Sequence, residues 1–406
     1  MSRSFLQTAI VLGLLSAIGP FAIDMYLPAL PSIGQSLGAS VSAVQASLMA
    51  FFIAMGLGQV IYGPAPDMLG RKLPLYFGVV LFGVASVACA TAPDIENLIT
   101  WRFVQGLGAC AAMVVPRAVV RDLHTGVEAA RLMALLMLVF SVSTILAPLI
   151  GSLLIESLGW RSVFWAVTAI AVGLLLLLTF ALPETRPAAQ RVESSVRSAL
   201  AAYSVLLRDA RFLGLIMIGA FGSAAFFVYL ANSPFVMINH YGLTPREYGV
   251  AFGINAASFI GVSQFTARLT GRFGLAPVVR AAVIGFAVFM VLLAALDLLG
   301  IARLDLLIIL MLIGFGFLGL VFPSSAVLAM DPHGAIAGTA SAFMGTLQFL
   351  VGACVMAVIG QFATASARPM VLGIATCAVA ALAVTWLTLG TQDAPPHDTT
   401  DGPPRT

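Results

Sequence analysis

Residues 8–30 read TAIVLGLLSAIGPFAIDMYLPAL, an apolar run holding one acid, Asp24, and prolines at positions 20 and 28. At 1.5 Å per residue, about 20 residues cross a ~30 Å hydrocarbon core, so this run is long enough to span a membrane. Working outward, comparable runs lie near residues 44–64, 73–91, 98–119, 132–155 and 160–182, and then 212–234, 246–266, 276–299, 304–328, 336–361 and 370–390. They predict an all-α membrane protein of twelve transmembrane helices.

Composition requires the same solvent. The 406 residues are 60% hydrophobic and 9% charged, whereas soluble domains carry about 25% charged residues. A net charge of +3 without a long basic run gives nucleic acid no footprint. Cys89, Cys110, Cys354 and Cys377 sit in apolar runs without metal-like or paired spacing, so they read as small packing residues and no metal site is expected. The first run is too long for a signal peptide and lacks a small-residue cleavage pattern, so it reads as a retained first helix.

The longest polar stretch divides the spans into two sets of six. Residues 1–183 are expected to form one six-helix bundle, 184–211 a cytoplasmic central loop, 212–390 a second bundle, and 391–406 a polar, disordered cytoplasmic tail. The pair Gly70, Arg71 recurs as Gly271, Arg272 about half a chain later, which suggests an internal repeat. Basic residues set the orientation. With the N-terminus in the cytoplasm, most of the 20 Lys and Arg fall inside, and only Arg161, Arg246, Arg303 and Arg368 fall in outer loops. Both termini are therefore assigned to the cytoplasm.

An acid within a span is costly and marks an ion or substrate path. Asp24 is the candidate here, the bland alternative being an outer-end residue touching headgroups. Arg102, the basic residue within a span, falls at comparable depth and could pair with it. Burial favours the neutral acid and a guanidinium favours the carboxylate, so such a group can exchange a proton when a solute alters either influence. Gln105 shares the face of Arg102, and either lines a cavity or bonds another helix. Gly106 and Gly108 read as packing residues. Phe21, Asn232 and Gln348 are candidates for a solute cavity, with helix packing the plainer reading of each; Asn255 and Gln264 read as interhelical hydrogen bonders.

Gly63, Pro64, Ala65, Pro66, Asp67, Met68, Leu69, Gly70, Arg71, Lys72 closes the second run. Its order of Gly, Asp, Gly and Arg resembles the loop signature of the major facilitator superfamily. That resemblance implies that Asp67 and Arg71 join a charge network holding the cytoplasmic ends of the two halves together; Met68 stands where the family usually has Arg. Arg102 to Gly106 (RFVQG) resembles the family's fourth-helix motif linked to proton coupling, and Ala147 to Gly151 (APLIG) its exporter motif, in which Pro148 and Gly151 bend the helix and admit close packing. IDMYLPALP at 23–31, GWRSVFW at 159–165, LPET at 182–185, SPFV at 233–236, RLTGRFG at 268–274 and AGTAS at 337–341 are similar to the bicyclomycin and chloramphenicol resistance (Bcr/CflA) exporters.

The resemblance implies two pseudo-symmetric bundles around a midplane site, and a proton-coupled efflux antiporter of phenicol- or bicyclomycin-like drugs. It would sit in the bacterial inner membrane and act as a monomer, with the proton as coupling ion, Asp24 and Arg102 as its site, and no other cofactor. A nutrient importer of the same fold is the nearest rival. A lipid-modifying enzyme finds no support, because His124, His240, His333 and His397 are scattered through loops and tail. A channel would need a repeated polar filter that is not visible.

Overall fold

A computed structural model describes residues 3–124, 126–187, 203–362 and 366–390. Most of the expected central loop and the whole expected tail lie outside the described residues. Among the described residues twelve helices are long and apolar enough to cross a membrane. We number them α1 (Gln7–Leu37), α2 (Val41–Tyr62), α3 (Lys72–Ala90), α4 (Ile95–Leu123), α5 (Arg131–Leu158), α6 (Arg161–Ala181), α7 (Ala210–His240), α8 (Pro245–Phe273), α9 (Leu275–Leu298), α10 (Leu304–Gly334), α11 (Ala337–Gly360) and α12 (Arg368–Leu389).

Twelve crossings return the chain to the face it started from, here the near face; the far face carries the turn between α1 and α2. Polar side chains start the helices at these faces by taking up first-turn amides. Ser40 accepts from Ala43 at α2, Asp94 from Asn97 at α4, and Asp209 from Arg211 and Phe212 at α7. Thr244 and Glu247 form a reciprocal capping box at α8.

Helix α1 departs from a simple rod. It runs helically to Ile23, loosens through Asp24, Met25 and Tyr26, takes a single 3-10 turn at Leu27–Ala29 and resumes at Leu30–Leu37. The expected run ended near residue 30; the resumed helix extends it to Leu37. Pro28 lacks the N–H that would bond the carbonyl of Asp24, and the amide of Tyr26 bonds Ile23 rather than Ala22. The break thus frees backbone carbonyls in mid-membrane, where only protein or trapped water can satisfy them.

Within the first six helices α4 packs on α2 and α3, and α3 on α6; within the last six α7 packs on α10, α11 and α12, and α10 on α8 and α9. The two sets meet along α2 with α11 and α5 with α8, and the end of α1 lies against α7 and α8. At the far face they close tightly. Gln45 Nε2 of α2 donates to Ala231 O at 3.1 Å and Asn232 Oδ1 at 2.9 Å on α7, and Ser152 Oγ of α5 donates to Pro245 O of α8 at 2.8 Å. Toward the near face α8 peels away: no residue from 257 to 273 is buried. The contact between α2 and α11 persists, with Thr346 Oγ1 donating to Gly56 O at 3.1 Å.

Candidate functional site

The site assembles at the break in α1. Asp24, 5% exposed, lies near the middle of its span, and α5 and α8 both pack against the 3-10 turn that follows it. Phe21, one turn before on the same face, is partly exposed. The expected exporter motif forms the wall behind the acid. A Cβ at Gly151 would overlap the backbone carbonyl of Met25, so only glycine lets α5 approach the break this closely. Pro148 cannot donate an amide within α5, and its own carbonyl takes the Ser152 hydroxyl at 2.6 Å.

Arg102 does not form the expected ion pair with Asp24. Its guanidinium donates to Ala22 O at 3.1 Å and Gln105 Oε1 at 2.5 Å, and lies between the rings of Tyr26 at 4.4 Å and Phe51 at 4.3 Å. The reason is angular. Ala22 and Tyr26 are four residues apart and share a helix face, while Asp24 is two residues from each, turned about 200° away. Arg102 is fully buried, and its Nε and Nη2 find no hydrogen-bond partner among the described residues. Two aromatic faces supply part of the stabilisation that water would give such a cation. Arg102 therefore braces the break from one side while Asp24 faces α5 on the other.

Gln105 is fully buried and donates to Ser86 Oγ of α3 at 2.7 Å, so of the two readings left open the interhelical bond is the one formed. Gly106 and Gly108 pack where expected, against Phe51 and Phe82. Asn232 is also 94% buried: it donates to Val228 O at 2.8 Å and accepts from Gln45, making it part of the far-face closure rather than an open wall. Gln348 is partly exposed, with its amide nitrogen beside Gly219 of α7. Asn255 donates to the Tyr229 hydroxyl at 3.1 Å, and Ser233 and Tyr248 share a hydrogen bond of 3.1 Å, a buried polar cluster of which the sequence reading had only Asn255. Gln264 bonds its own helix at Ile260 O.

The near-face loop forms a charge network. Gly63 ends α2 against Ala342 of α11, and Gly70 takes φ +88°, a left-handed value that turns the chain so Arg71 points back beneath the bundle. Arg71 bonds Asp122 at the end of α4 through two nitrogens at 2.6 and 3.1 Å, and Asp67 at 2.7 Å. Asp67 also pairs with Arg186 at 2.8 Å, and Glu184 accepts from the amides of Arg71, Lys72 and Arg186. These described partners all lie within the first 187 residues. Among the described residues the network ties α2, α3, α4 and the segment after α6 to one another. That fits the parting of α8 from the first half at the same face. Asp122 was missed because nothing in its own neighbourhood marks it, and Glu184 because its place in LPET at 182–185 does not tell which amides it reaches.

Comparison with known proteins places this geometry. Residues 12–355 match the family described as Major Facilitator Superfamily. The chain is 35% identical over 94% of its length to the "Uncharacterized MFS-type transporter YdgK" of Bacillus subtilis (strain 168), of which it covers 96%. It is 28% identical over 91% of its length to a "Bicyclomycin resistance protein homolog" of Haemophilus influenzae, of which it covers 93%. Among solved structures, that of a D-xylose-proton symporter superposes with a TM-score of 0.75 over 94% of this chain and 97% of its own, at 17% identity, a likeness of fold alone.

Proposed function

The chain belongs to the Major Facilitator Superfamily, as a multi-pass membrane transporter with relatives named for drug resistance, and on that premise we propose that it exports small drug-like molecules in exchange for protons. The observation that carries the reading is the Asp24 carboxyl, buried at mid-depth where α1 is broken, with α5 and α8 both packed against the break. A carboxyl in that position is neutral or charged according to what surrounds it, and α8 belongs to the half of the molecule that moves relative to α1.

In the far-face-closed arrangement a solute of the phenicol or bicyclomycin class enters between α5 and α8 from the near face, which we assign to the cytoplasm of a bacterial inner membrane with both termini on that side. Bound solute releases the Asp24 proton toward the cytoplasm. The Gln45–Asn232 closure then opens, solute leaves outward, and a proton from outside restores the neutral acid. Arg102 holds the Ala22 carbonyl and so fixes the break at which Asp24 is displayed. The protein works as a monomer, and the proton is its only coupling species. One charge crossing 100 mV supplies ~2.3 kcal/mol, and at ~1.4 kcal/mol per tenfold this sustains roughly forty-fold accumulation of a neutral solute.

The test is reconstitution into liposomes with an imposed pH difference and radiolabelled chloramphenicol. The wild-type protein is expected to move drug against its gradient, and Asp24→Asn to lose uphill movement while inserting and folding normally. Uphill transport by Asp24→Asn at the wild-type rate would refute the assignment. Inverted vesicles separate export from the nutrient-import alternative, which predicts solute flux in the opposite sense.

A further inference from the structure

Three phenylalanines from both halves meet at mid-depth. Phe52 of α2 stacks on Phe227 of α7, with ring centroids 4.0 Å apart and planes 11° from parallel. Phe349 of α11 closes the group at 5.9 Å from Phe52 and 5.5 Å from Phe227. Each lies close to the centre of its own span. The chain makes room for the stack: one turn beyond Phe349 comes Gly352, where a Cβ would overlap the Phe227 ring. Phe52 and Phe227 are 0% and 8% exposed, whereas Phe349 and Gln348 are partly exposed.

Position gives the stack a consequence. Two turns farther along the same face of α2 stands Gln45, bonded to Ala231 and Asn232 of α7. The stack is thus the layer directly beneath the far-face closure, and it joins helices that must separate there when the far face opens. Separation leaves two phenyl faces turned to a water-filled space, which is costly because burial and stacking both stabilise such rings. A solute with its own aromatic ring restores both contacts by taking the place of one partner. It then binds the opened arrangement more tightly than the closed one and shifts the population toward it.

We propose that Phe52, Phe227 and Phe349 form an aromatic subsite that selects solutes carrying an aryl ring, with the ring entering between Phe52 and Phe227 as the halves part. The proposal rests on the reading of the chain as a carrier of small organic solutes, and not on proton coupling. The neighbouring Phe51, 6.3 Å from Phe52, carries the Arg102 guanidinium on its face, so movement of the stack is felt at the brace of α1.

The experiment is equilibrium binding to the full chain in lipid nanodiscs without any pH gradient, so that it stands or falls separately from antiport. Two matched probe pairs are used: tetraphenylphosphonium with tetracyclohexylphosphonium, and N-benzylbenzamide with N-(cyclohexylmethyl)cyclohexanecarboxamide. Cyclohexyl rings are the more apolar, so a plain greasy cavity favours them. The wild-type protein is expected to bind the aryl member of at least one pair about tenfold more tightly, ~1.4 kcal/mol. Phe52→Leu and Phe227→Leu are expected to bring the ratio to within twofold of unity, while Phe52→Tyr, which keeps the ring, retains it. Elution volume and melting temperature establish that each variant is folded. Equal binding of the two members by the wild-type protein, binding of neither aryl probe, or an aryl preference that survives in both Leu variants overturns the proposal. If the Leu variants fail to fold, loss of the preference in Phe52→Tyr overturns it and its retention supports it.

Discussion

Replacing Gln45 by leucine should unlatch the far face. The amide nitrogen of Gln45 makes two bonds across the halves, to Ala231 O at 3.1 Å and Asn232 Oδ1 at 2.9 Å, while its Oε1 is buried without a partner among the described residues. Each bond contributes a net ~0.5–1.5 kcal/mol, and interhelical bonds in membranes average near the lower end at ~0.6 kcal/mol. Leucine also removes the unpartnered Oε1, which returns part of the loss. The net cost to the closed arrangement is about 1–2 kcal/mol, and at ~1.4 kcal/mol per tenfold this shifts the ratio of open to closed far face by roughly 5- to 30-fold. Spin labels on Ser36→Cys and His240→Cys, both exposed at the far face, report this by double electron–electron resonance in a background with Cys354 replaced. The long-distance population should grow in Gln45→Leu and in Asn232→Ala, and the double variant should add less than the sum, since the pair shares a bond. A distribution unchanged by Gln45→Leu, or changed equally by Gln264→Leu at the near-face end of α8, refutes the latch.

Three further outcomes follow from the same structure. Asp122→Ala leaves Arg71, whose side chain is 5% exposed, with Asp67 as its remaining carboxylate partner; thermal unfolding in detergent should show a loss of about 3 kcal/mol, at the low end for breaking a buried pair, and Asp67→Ala, whose side chain is 42% exposed, should lose less. Gly151→Val should abolish transport and Gly151→Ala reduce it, because each places carbon where the Met25 carbonyl lies; full transport by Gly151→Val would show that α5 does not bear on the break. The Asp209 carboxyl is held below the usual carboxylate range chiefly by the Phe212 amide, against some burial, with His333 and the Arg211 amide assisting. An acid lowered in this way adds stability above its unfolded value of ~3.9, and that stability is lost as pH falls through the folded value. The melting-temperature gap between wild type and Asp209→Asn should therefore be full at pH 6 and close below pH 4; a gap that widens on acidification contradicts this.

Much of this molecule was legible before any coordinates. Span length and the near absence of charge dictate twelve helices, because lipid leaves the backbone no other way to satisfy its polar groups. Asp24 stands out for the same reason. The break in α1 was readable in principle from Pro20, Pro28 and Pro31, yet its effect on Ala22 depends on which carbonyl a neighbouring guanidinium can reach. The Asp24–Arg102 pair failed because comparable depth says nothing of azimuth, and residues two apart on a helix look in opposite directions. Asp122 and Glu184 complete the near-face network from 51 and 113 residues beyond Arg71, and only tertiary packing brings them in. Gln45 carried a usable signal, an amide in an apolar helix like Asn232, but its partner lies 187 residues away.

The central claim is that solute binding displaces a proton from Asp24. Its most direct test is proton release on adding chloramphenicol to the purified protein in weakly buffered detergent solution, followed with a pH indicator. The account predicts up to one proton released per drug bound by the wild-type protein, rising then falling across a pH range that brackets the titration of one group, and none from Asp24→Asn with drug binding retained. Binding without release in the wild-type protein, or equal release from Asp24→Asn, contradicts it.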